Sequence, residues 1–563
     1  MPTLPPYLLN LCTFGLFFFT ALFLSLIFTP ASITIAKALG ILDTPDVRKV
    51  HRDPIPRMGG LAIACTVLLA SILCARFTPF VQAYLLGMGT IASIGLIDDK
   101  FSIPPIIKLV GEIISSLIFV LLSGYTLTGF GDLLGFGEIS FSFYSLPLTI
   151  FFMAGVINSF NLSDGLDGLA GGISLIVCLF LLPMVYVAQL WSVLGIIVII
   201  MGTLFGFLRY NSYPAKLFMG DTGSLILGYS VSCVALALVQ RTTENTMITP
   251  VSVFVPMSFP VVDMMVVIIR RLLKRRHIFS PDKLHFHHRL MAIGMPHSMV
   301  VTTIYGICSL IGLVGWTVKE MPEWQQFGFV CGLYGAVYAA LYQFERRGTF
   351  FNVREREAIR HKMSDTRYAV VSRIGKLSRY VAPLFLFLLV LPILFTRQPS
   401  GPFALLAFTV SVLVGTLYPW KGGKRRINHA HALIFIAIFS LLVIYHFNTQ
   451  ATGWSTIYFA VFTLLATCWV IIQIVLKRRY AILLPTSIEI LLIVISWFIP
   501  LVWGGLVGMD PASQNRLIVA CFQSIPILAA AKTMFRRQAK RNAIATGIMV
   551  LALLGLGGRS FWW

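Results

Sequence analysis

Residues 146–187 read LPLTIFFMAGVINSFNLSDGLDGLAGGISLIVCLFLLPMVYV. Two apolar runs, 146–160 and 168–187, flank a polar, glycine-rich stretch with two Asn and two Asp. An apolar run near 20 residues is what a helix needs to cross roughly 30 Å of hydrocarbon. A closed barrel would give alternating segments of about 10 residues instead, and the sequence has no such segments. The stretch therefore predicts two membrane helices joined at one membrane face by a loop rich in oxygen ligands.

The same alternation runs through the chain. Of its 563 residues 57% are hydrophobic and only 12% charged, against about 25% charged in a soluble domain. The fold class is all-α, a polytopic helical integral membrane protein. Eleven spans are expected in a core over 1–345: 8–30, 60–77, 82–97, 105–122, 146–160, 168–187, 190–208, 222–240, 249–269, 299–316 and 326–345. A charged linker, 346–376, leads to a C-terminal membrane extension, 377–563, with about seven further spans. The first run follows no basic segment, since no charge precedes Lys37, and is read as a retained span. The nine cysteines lie in or beside apolar runs without a CxxC pattern and read as small packing residues.

Orientation follows from the basic loops, which favour the cytoplasm. With the N-terminus outside, RKVHRDPIPR (48–57), DDK (98–100), NSFNLSDGLDGLAGG (158–172), RYNSYPAKLFMGDTGS (209–224) and RRLLKRRHIFSPDKLHFHHRL (270–290) all fall on the cytoplasmic side. So do KGGKRR (421–426), KRR (477–479) and KTMFRRQAKR (532–541). The net charge of +22 is thus explained by such loops, which also attract anionic lipid, with no need for nucleic acid. Every acidic and histidine-rich motif shares one plane, as an active site built from loops at the membrane edge requires.

Four motifs carry chemistry. Asp98-Asp99 closes an apolar run, where an Asp costs about 2.5–3.5 kcal/mol at a span centre unless a cation or proton offsets it; a solvated loop start is the bland reading. Asn158 to Gly168 supplies two Asn and two Asp as hard oxygen ligands suited to Mg²⁺, with glycines that let a phosphate approach the backbone; a polar helix-ending loop is the alternative. Asp221, in FMGDTGS, stands at a helix N-terminus that favours bound phosphate, although Asp221 or Thr222 could serve merely as an N-cap. His285, His287, His288 and Arg289 suit phosphate binding or proton transfer, or form a simple basic loop; zinc is less well served, with no cysteine nearby. No G-x-x-x-x-G-K-[ST] loop occurs, so ATP-driven transport is unsupported.

With DTPDVRKVHRDPIPRMGG, GLIDDKFSIPPIIKL, NSFNLSDGLDGLAGG, NSYPAKLFMGDTGSLILG and HFHH in this order over about 35–295, the chain resembles the polyprenyl-phosphate N-acetylhexosamine-1-phosphate transferases. That family includes the initiators of O-antigen (lipopolysaccharide), enterobacterial common antigen and teichoic acid synthesis, and the MraY enzymes of peptidoglycan synthesis. The resemblance implies a Mg²⁺-dependent enzyme, with Mn²⁺ as a substitute, in the inner (cytoplasmic) membrane with its site facing the cytoplasm. Asn161 and Asp221 would bind the metal. Asp98 would be the catalytic aspartate, with Asp99 beside it, and Lys108 would contact the diphosphate. Asp164, Gly165, Leu166 and Asp167 would line the uridine pocket, with Phe218 on the uracil. Arg52 falls near a lysine of the nucleotide site, and His285, His287 and His288 would lie by the sugar and phosphates.

The implied partners are a UDP-N-acetylhexosamine, polyprenyl (undecaprenyl) phosphate and the lipid bilayer, with a homodimer also compatible. The implied reaction is transfer of the sugar 1-phosphate to the lipid phosphate with release of UMP, the initiating step of a lipid-linked cell-surface glycan. Two alternatives stay open: a MraY-like phospho-MurNAc-pentapeptide transferase, which the H-F-H-H motif disfavours, and a lipid-sugar transport or scaffold protein with a degenerate transferase half. Glu112 stands where some relatives carry Gln. The extension has no recognised counterpart, and Glu489 inside one of its spans is its most unusual residue.

Overall fold

The computed structural model describes residues 6–43, 54–240, 248–275, 277, 284–346 and 519. All but Val519 belong to one compact unit, Met1–Phe351. Apart from Arg346 and Val519, the expected linker, the seven C-terminal spans and Glu489 lie outside the described residues, as does Arg52.

Thirteen α-helices occur among the described residues: α1 (Pro6–Ala38), α2 (Gly59–Cys74), α3 (Pro79–Phe101), α4 (Pro105–Ser123), α5 (Ser145–Leu162), α6 (Leu169–Val187), α7 (Trp191–Asn211), α8 (Gly220–Val239), α9 (Pro250–Phe254), α10 (Ser258–Leu273), α11 (Phe286–Ala292), α12 (His297–Thr317) and α13 (Glu323–Arg346). Two-residue strands β1 (Leu42–Asp43) and β2 (Ile55–Pro56) pair antiparallel. Ten helical segments are long and apolar enough to cross a membrane, with α9 and α10 counted as one, and α2 is a shorter apolar helix of 16 residues. The chain is a multi-pass, all-α membrane protein.

Local signals explain where the helices begin and end. Pro79 opens α3 behind the Thr78 hydroxyl, which accepts from the Val81 N–H. Ser102, at φ 52°, ends it, and Pro104-Pro105 starts α4. Gly124 stops α4 in the left-handed conformation that glycine adopts without strain. Thr249 and Ser252 form a reciprocal capping box on α9.

Packing places α8 at the centre, its whole apolar length buried, against α2, α3, α5 and α6. Close approach depends on missing side chains. A Cβ on Gly60 would lie 2.2 Å from the Gly223 nitrogen, and one on Gly95 2.4 Å from the Thr222 Cα. The Gly202 and Gly206 pair on α7 lets α1 in, with Phe18 O 2.3 Å from the first Cβ position. Helices in lipid gain from such backbone contact, because apolar burial drives little association there. α4 divides cleanly: Ile106, Ile107, Val110 and Ile114 are exposed, while Gly111, Glu112, Ser115 and Ser116 are buried.

Helix boundaries differ from the sequence expectation at three functional places. Asp98-Asp99 lies within the last turn of α3 rather than in a loop. α5 continues past the expected 146–160 through Asn161 and Leu162, so the loop between α5 and α6 is 163–168. The Asn158 side-chain amide nitrogen donates to the Ala154 carbonyl at 2.9 Å, one turn earlier. α1 also runs to Ala38 through Pro30, eight residues past the expected span.

Candidate active site

The polar ends of α3, α4, α5 and α8 meet the segment that precedes α2. That segment docks by backbone: the Phe218 N–H donates to Pro56 O at 2.9 Å, and Gly59 and Gly60 N–H donate to Phe218 and Met219 carbonyls at 2.9 and 2.7 Å. Arg57 is thereby carried to the start of α8.

Five charged side chains form the centre. Lys108 Nζ lies 2.5 Å from Asp98 Oδ2 and 2.5 Å from Asp221 Oδ2. Arg57 Nη2 lies 2.8 Å from Asp221 Oδ1, and its Nε 3.3 Å from Asp99 Oδ1. Two cations thus hold three carboxylates that would otherwise repel one another. Burial disfavours the Arg57 charge, but Asp221 and Asp99 outweigh it and raise its pKa.

The adjacent aspartates of α3 have different partners. Asp98 Oδ1 accepts the Ile103 N–H at 2.9 Å, leaving Oδ2 on Lys108. Asp99 is fully enclosed and caps α8 from outside: Oδ1 accepts the Asp221 N–H (2.8 Å), and Oδ2 accepts the Thr222 N–H (3.2 Å) and hydroxyl (2.6 Å). A carboxylate there satisfies free donors and the helix dipole together. Gly220, at φ 71°, must be glycine, since a Cβ would meet both Asp99 oxygens at 2.6 Å.

Asn161 joins from α5, its amide nitrogen donating to Ser224 Oγ at 2.9 Å. That bond engages the donor end of the amide. In the 163–168 loop, burial first and Asp221 next push the Asp164 carboxyl up to about 7. Leu166 is buried. Asp167 braces the neighbouring loop: Oδ2 accepts the Ala215 N–H at 2.9 Å, and its own N–H donates to His297 Nε2 at 3.2 Å. His297 stacks on Tyr213 with ring centroids 4.5 Å apart. Phe218 is half-buried beside Arg57's segment.

The histidines form a second arm that reaches the loop. His287 Nε2 is buried and lies 2.3 Å from where a Gly165 Cβ would stand, so Gly165 permits the contact. Burial, and then His288, His285 and His297, push the His287 pKa down to about 3, so the ring is neutral at pH 7. His285 Nδ1 lies 3.0 Å from Asp263 Oδ2, and Asp263 Oδ1 accepts the Phe286 N–H at 2.9 Å, fixing the start of α11. Arg289 forks onto Glu345 through two contacts of 2.8 Å. His288 is half-buried with its ring 4.2 Å from that of His287.

The sequence reading missed Arg57, Asp263, His297 and Glu345. Arg57 sits inside a motif already quoted, two residues before Gly59, the first of the glycines that dock at the start of α8. Asp263 is a lone carboxylate in the apolar stretch SFPVVDMMVVII, a pattern that itself signals function.

Among the described residues, no group of three or more His, Cys, Asp or Glu is gathered around a metal position. Mg²⁺ usually takes one or two protein carboxylates and completes its shell with water and substrate phosphates. Asp98 and Asp221 already converge on one cation, the Lys108 ammonium, and Asn161 is bonded to Ser224, on the same helix as Asp221. The hard-oxygen set fits the ion.

The fold and site together define a polytopic membrane protein with an acidic, cation-bridged centre at one end of its bundle. Residues 81–239 match the family described as Glycosyl transferase family 4. A probable undecaprenyl-phosphate N-acetylglucosaminyl 1-phosphate transferase of Bacillus subtilis (strain 168) is 35% identical over 309 residues, covering 54% of this chain and 85% of that protein. A decaprenyl-phosphate N-acetylglucosaminephosphotransferase of Mycobacterium tuberculosis (strain ATCC 25618 / H37Rv) is 34% identical over 298 residues, 48% of this chain and 74% of that protein. An undecaprenyl-phosphate alpha-N-acetylglucosaminyl 1-phosphate transferase of Escherichia coli (strain K12) is 29% identical over 324 residues, 55% and 84% of the two chains. The chain belongs to the family of the polyprenyl-phosphate N-acetylhexosamine-1-phosphate transferases.

Proposed function

We propose that this protein transfers N-acetylglucosamine 1-phosphate from its UDP-sugar to polyprenyl phosphate, releasing UMP, at the cytoplasmic face of the inner membrane. The observation that carries the reading is the Lys108 ammonium bridging Asp98 and Asp221, with Arg57 on the other side of Asp221. The sugar and the acceptor follow the names of the relatives. The basic loops at the polar end support the cytoplasmic side.

An oxygen of the lipid phosphate attacks the β-phosphorus. The new P–O bond forms as the bond from that phosphorus to the bridging oxygen breaks, and UMP leaves with the oxygen. The sugar's anomeric bond is untouched, so its configuration is retained. A phosphate monoester has a second pKa near 6 and is mostly dianionic at pH 7. A strong base is therefore unnecessary, and positioning carries much of the rate.

Asp221 and Asn161 would hold Mg²⁺, with Asp98 close by. The bound ion would neutralise the diphosphate and stabilise charge on the transferring group. Lys108 and Arg57 place positive charge where two polyanions meet. Arg57 offers the planar fork suited to phosphate. Asp98 orients Lys108 toward the phosphates, and Asp99 positions Asp221 through the first turn of α8. Asp164, Gly165, Leu166, Asp167 and Phe218 form the nucleoside side. The histidine arm faces the sugar and phosphates, His287 acting through Gly165.

The test is UMP release from purified full-length protein in detergent with Mg²⁺, polyprenyl phosphate and a panel of UDP-sugars. UMP formed from UDP-N-acetylglucosamine, and lost in Asp98→Asn and Asp221→Asn, supports the assignment. UMP formed only from UDP-MurNAc-pentapeptide would move the protein to the MraY-like reaction. No UMP from any donor, in folded protein, would overturn the transferase reading.

A further inference from the structure

Glu112 has no part in the chemistry above, yet it is a carboxylate 1% exposed inside the membrane-spanning α4. An ionisable side chain at such depth is costly and tends to serve function. Its Oε2 accepts a hydrogen bond from the Asn158 side-chain amide on α5. Asn158 is held in turn by its second bond, to Ala154 O.

The position of this pair gives it consequence. Glu112 lies one helical turn after Lys108 on α4, and Asn158 lies three residues before Asn161 on α5. Lys108 reaches Asp221 on α8, and Asn161 reaches Ser224 on α8. The three helices α4, α5 and α8 are thus joined pairwise by three polar contacts, and Glu112–Asn158 is the one that closes the triangle. It is a side-chain hydrogen bond between α4 and α5, of the kind that joins helices in lipid, where apolar burial drives little association.

We propose that Glu112 is a positioning residue: its bond to Asn158 sets α4 against α5, so that Lys108 and Asn161 address the same substrate phosphates around Asp221. The proposal rests on the transferase reading. What the role needs is an acceptor of this length at position 112, and a Gln amide oxygen supplies one. Its negative charge is not used. A residue that merely held the fold would change the melting temperature and the amount of folded protein. A positioning residue changes kcat at near-constant KM, because the bound phosphates are held but misaligned.

The experiment compares full-length wild type, Glu112→Gln, Glu112→Leu, Asn158→Leu and the Glu112→Leu/Asn158→Leu double variant, each confirmed as folded by its melting transition. UMP release gives kcat and KM for the UDP-sugar. Glu112→Leu and Asn158→Leu are each expected to lower kcat by about tenfold to a hundredfold, the scale of a 1 Å misplacement, with KM within threefold. The double variant should be no slower than the slower single one, since both remove one bond. Glu112→Gln should recover most of the rate. Glu112→Leu with kcat within twofold of wild type overturns the proposal, as does multiplicative loss in the double variant. Loss in Glu112→Gln equal to that in Glu112→Leu overturns it too, because the charge itself would then be required. Wild type that releases no UMP sinks the transferase reading instead, so the two failures are distinguishable.

Discussion

Gly95→Ala places one methyl group between α3 and α8. Its Cβ would lie 2.4 Å from Thr222 Cα, 2.8 Å from the Thr222 nitrogen and 3.1 Å from Thr222 Cβ. Ordinary contact begins near 3.4 Å, so the gap is short by about 1 Å. The obstacle is backbone and cannot rotate aside. Either α3 withdraws or α8 does, and Asp99, one turn after Gly95, withdraws from the Asp221 and Thr222 donors it caps. Overpacking of this kind costs about 1–3 kcal/mol. A displacement near 1 Å also costs catalysis up to about a hundredfold when it reaches reacting groups. Gly89 is the internal control, on the same helix with nothing within 4 Å of its Cβ position. Alanine there should leave stability unchanged or raise it slightly, as its helix propensity dictates. Thermal unfolding in detergent and UMP release, read side by side, test this. If Gly95→Ala behaves like Gly89→Ala in both assays, the close approach of α3 and α8 does not organise the site, and the reasoning is refuted.

Arg57→Lys keeps the charge but offers one nitrogen where two now reach separate carboxylates, Asp221 and Asp99; kcat/KM should fall by about tenfold or more, and a value within twofold of wild type would remove Arg57 from the site. Asp98→Asn and Asp221→Asn should each reduce UMP release to background while the protein stays folded, and persistent turnover in either would exclude that carboxylate from the centre. Asp164 gives a pH signature. Its carboxyl titrates at about 7 when folded against 3.8 ordinarily, so the folded state holds more protons than the unfolded one between those values, and stability falls as pH rises through that window. In Asp164→Asn the fall should flatten, and melting temperatures from pH 5 to 8 that keep the wild-type slope would assign it elsewhere.

Most of the architecture was legible because lipid allows few alternatives. Apolar runs near 20 residues must become helices, and the motifs at their polar ends then share a plane. Lys108, Asp98 and Asp221 meet as that parity requires. Less legible was where each helix stops. Hydropathy places the end of a span where polar residues begin, so Asp98-Asp99 and Asn161 read as loop, whereas each is helical and held by partners on other elements. Arg57 was hidden for a related reason. Its motif reads as a basic loop, and only the backbone docking of Gly59 and Gly60 on α8 turns it inward. Asp263 stood in plain view among apolar residues, but its meaning depends on His285, 22 positions away.

The aspartate pair shows why composition alone could not divide the labour. Written in sequence, Asp98 and Asp99 are interchangeable neighbours that should repel and share one task. Placed in an α-helix they diverge by about 100° around the axis. One side chain then faces α4 and meets Lys108, and the other faces α8 and meets its first N–H groups. Repulsion is relieved because each carboxylate finds its own positive partner: an ammonium for Asp98, and a helix terminus with Arg57 for Asp99. Asp221 joins the two arrangements, since its backbone is held by Asp99 and its side chain by the same Lys108 that Asp98 orients. Exchanging roles is therefore impossible without turning α3. Asp99→Asn should act mainly through loss of the α8 cap, weakening stability and rate together, whereas Asp98→Asn should spare stability and lose rate. Equal melting temperatures for the two variants would mean that Asp99 is not the cap on which this division depends.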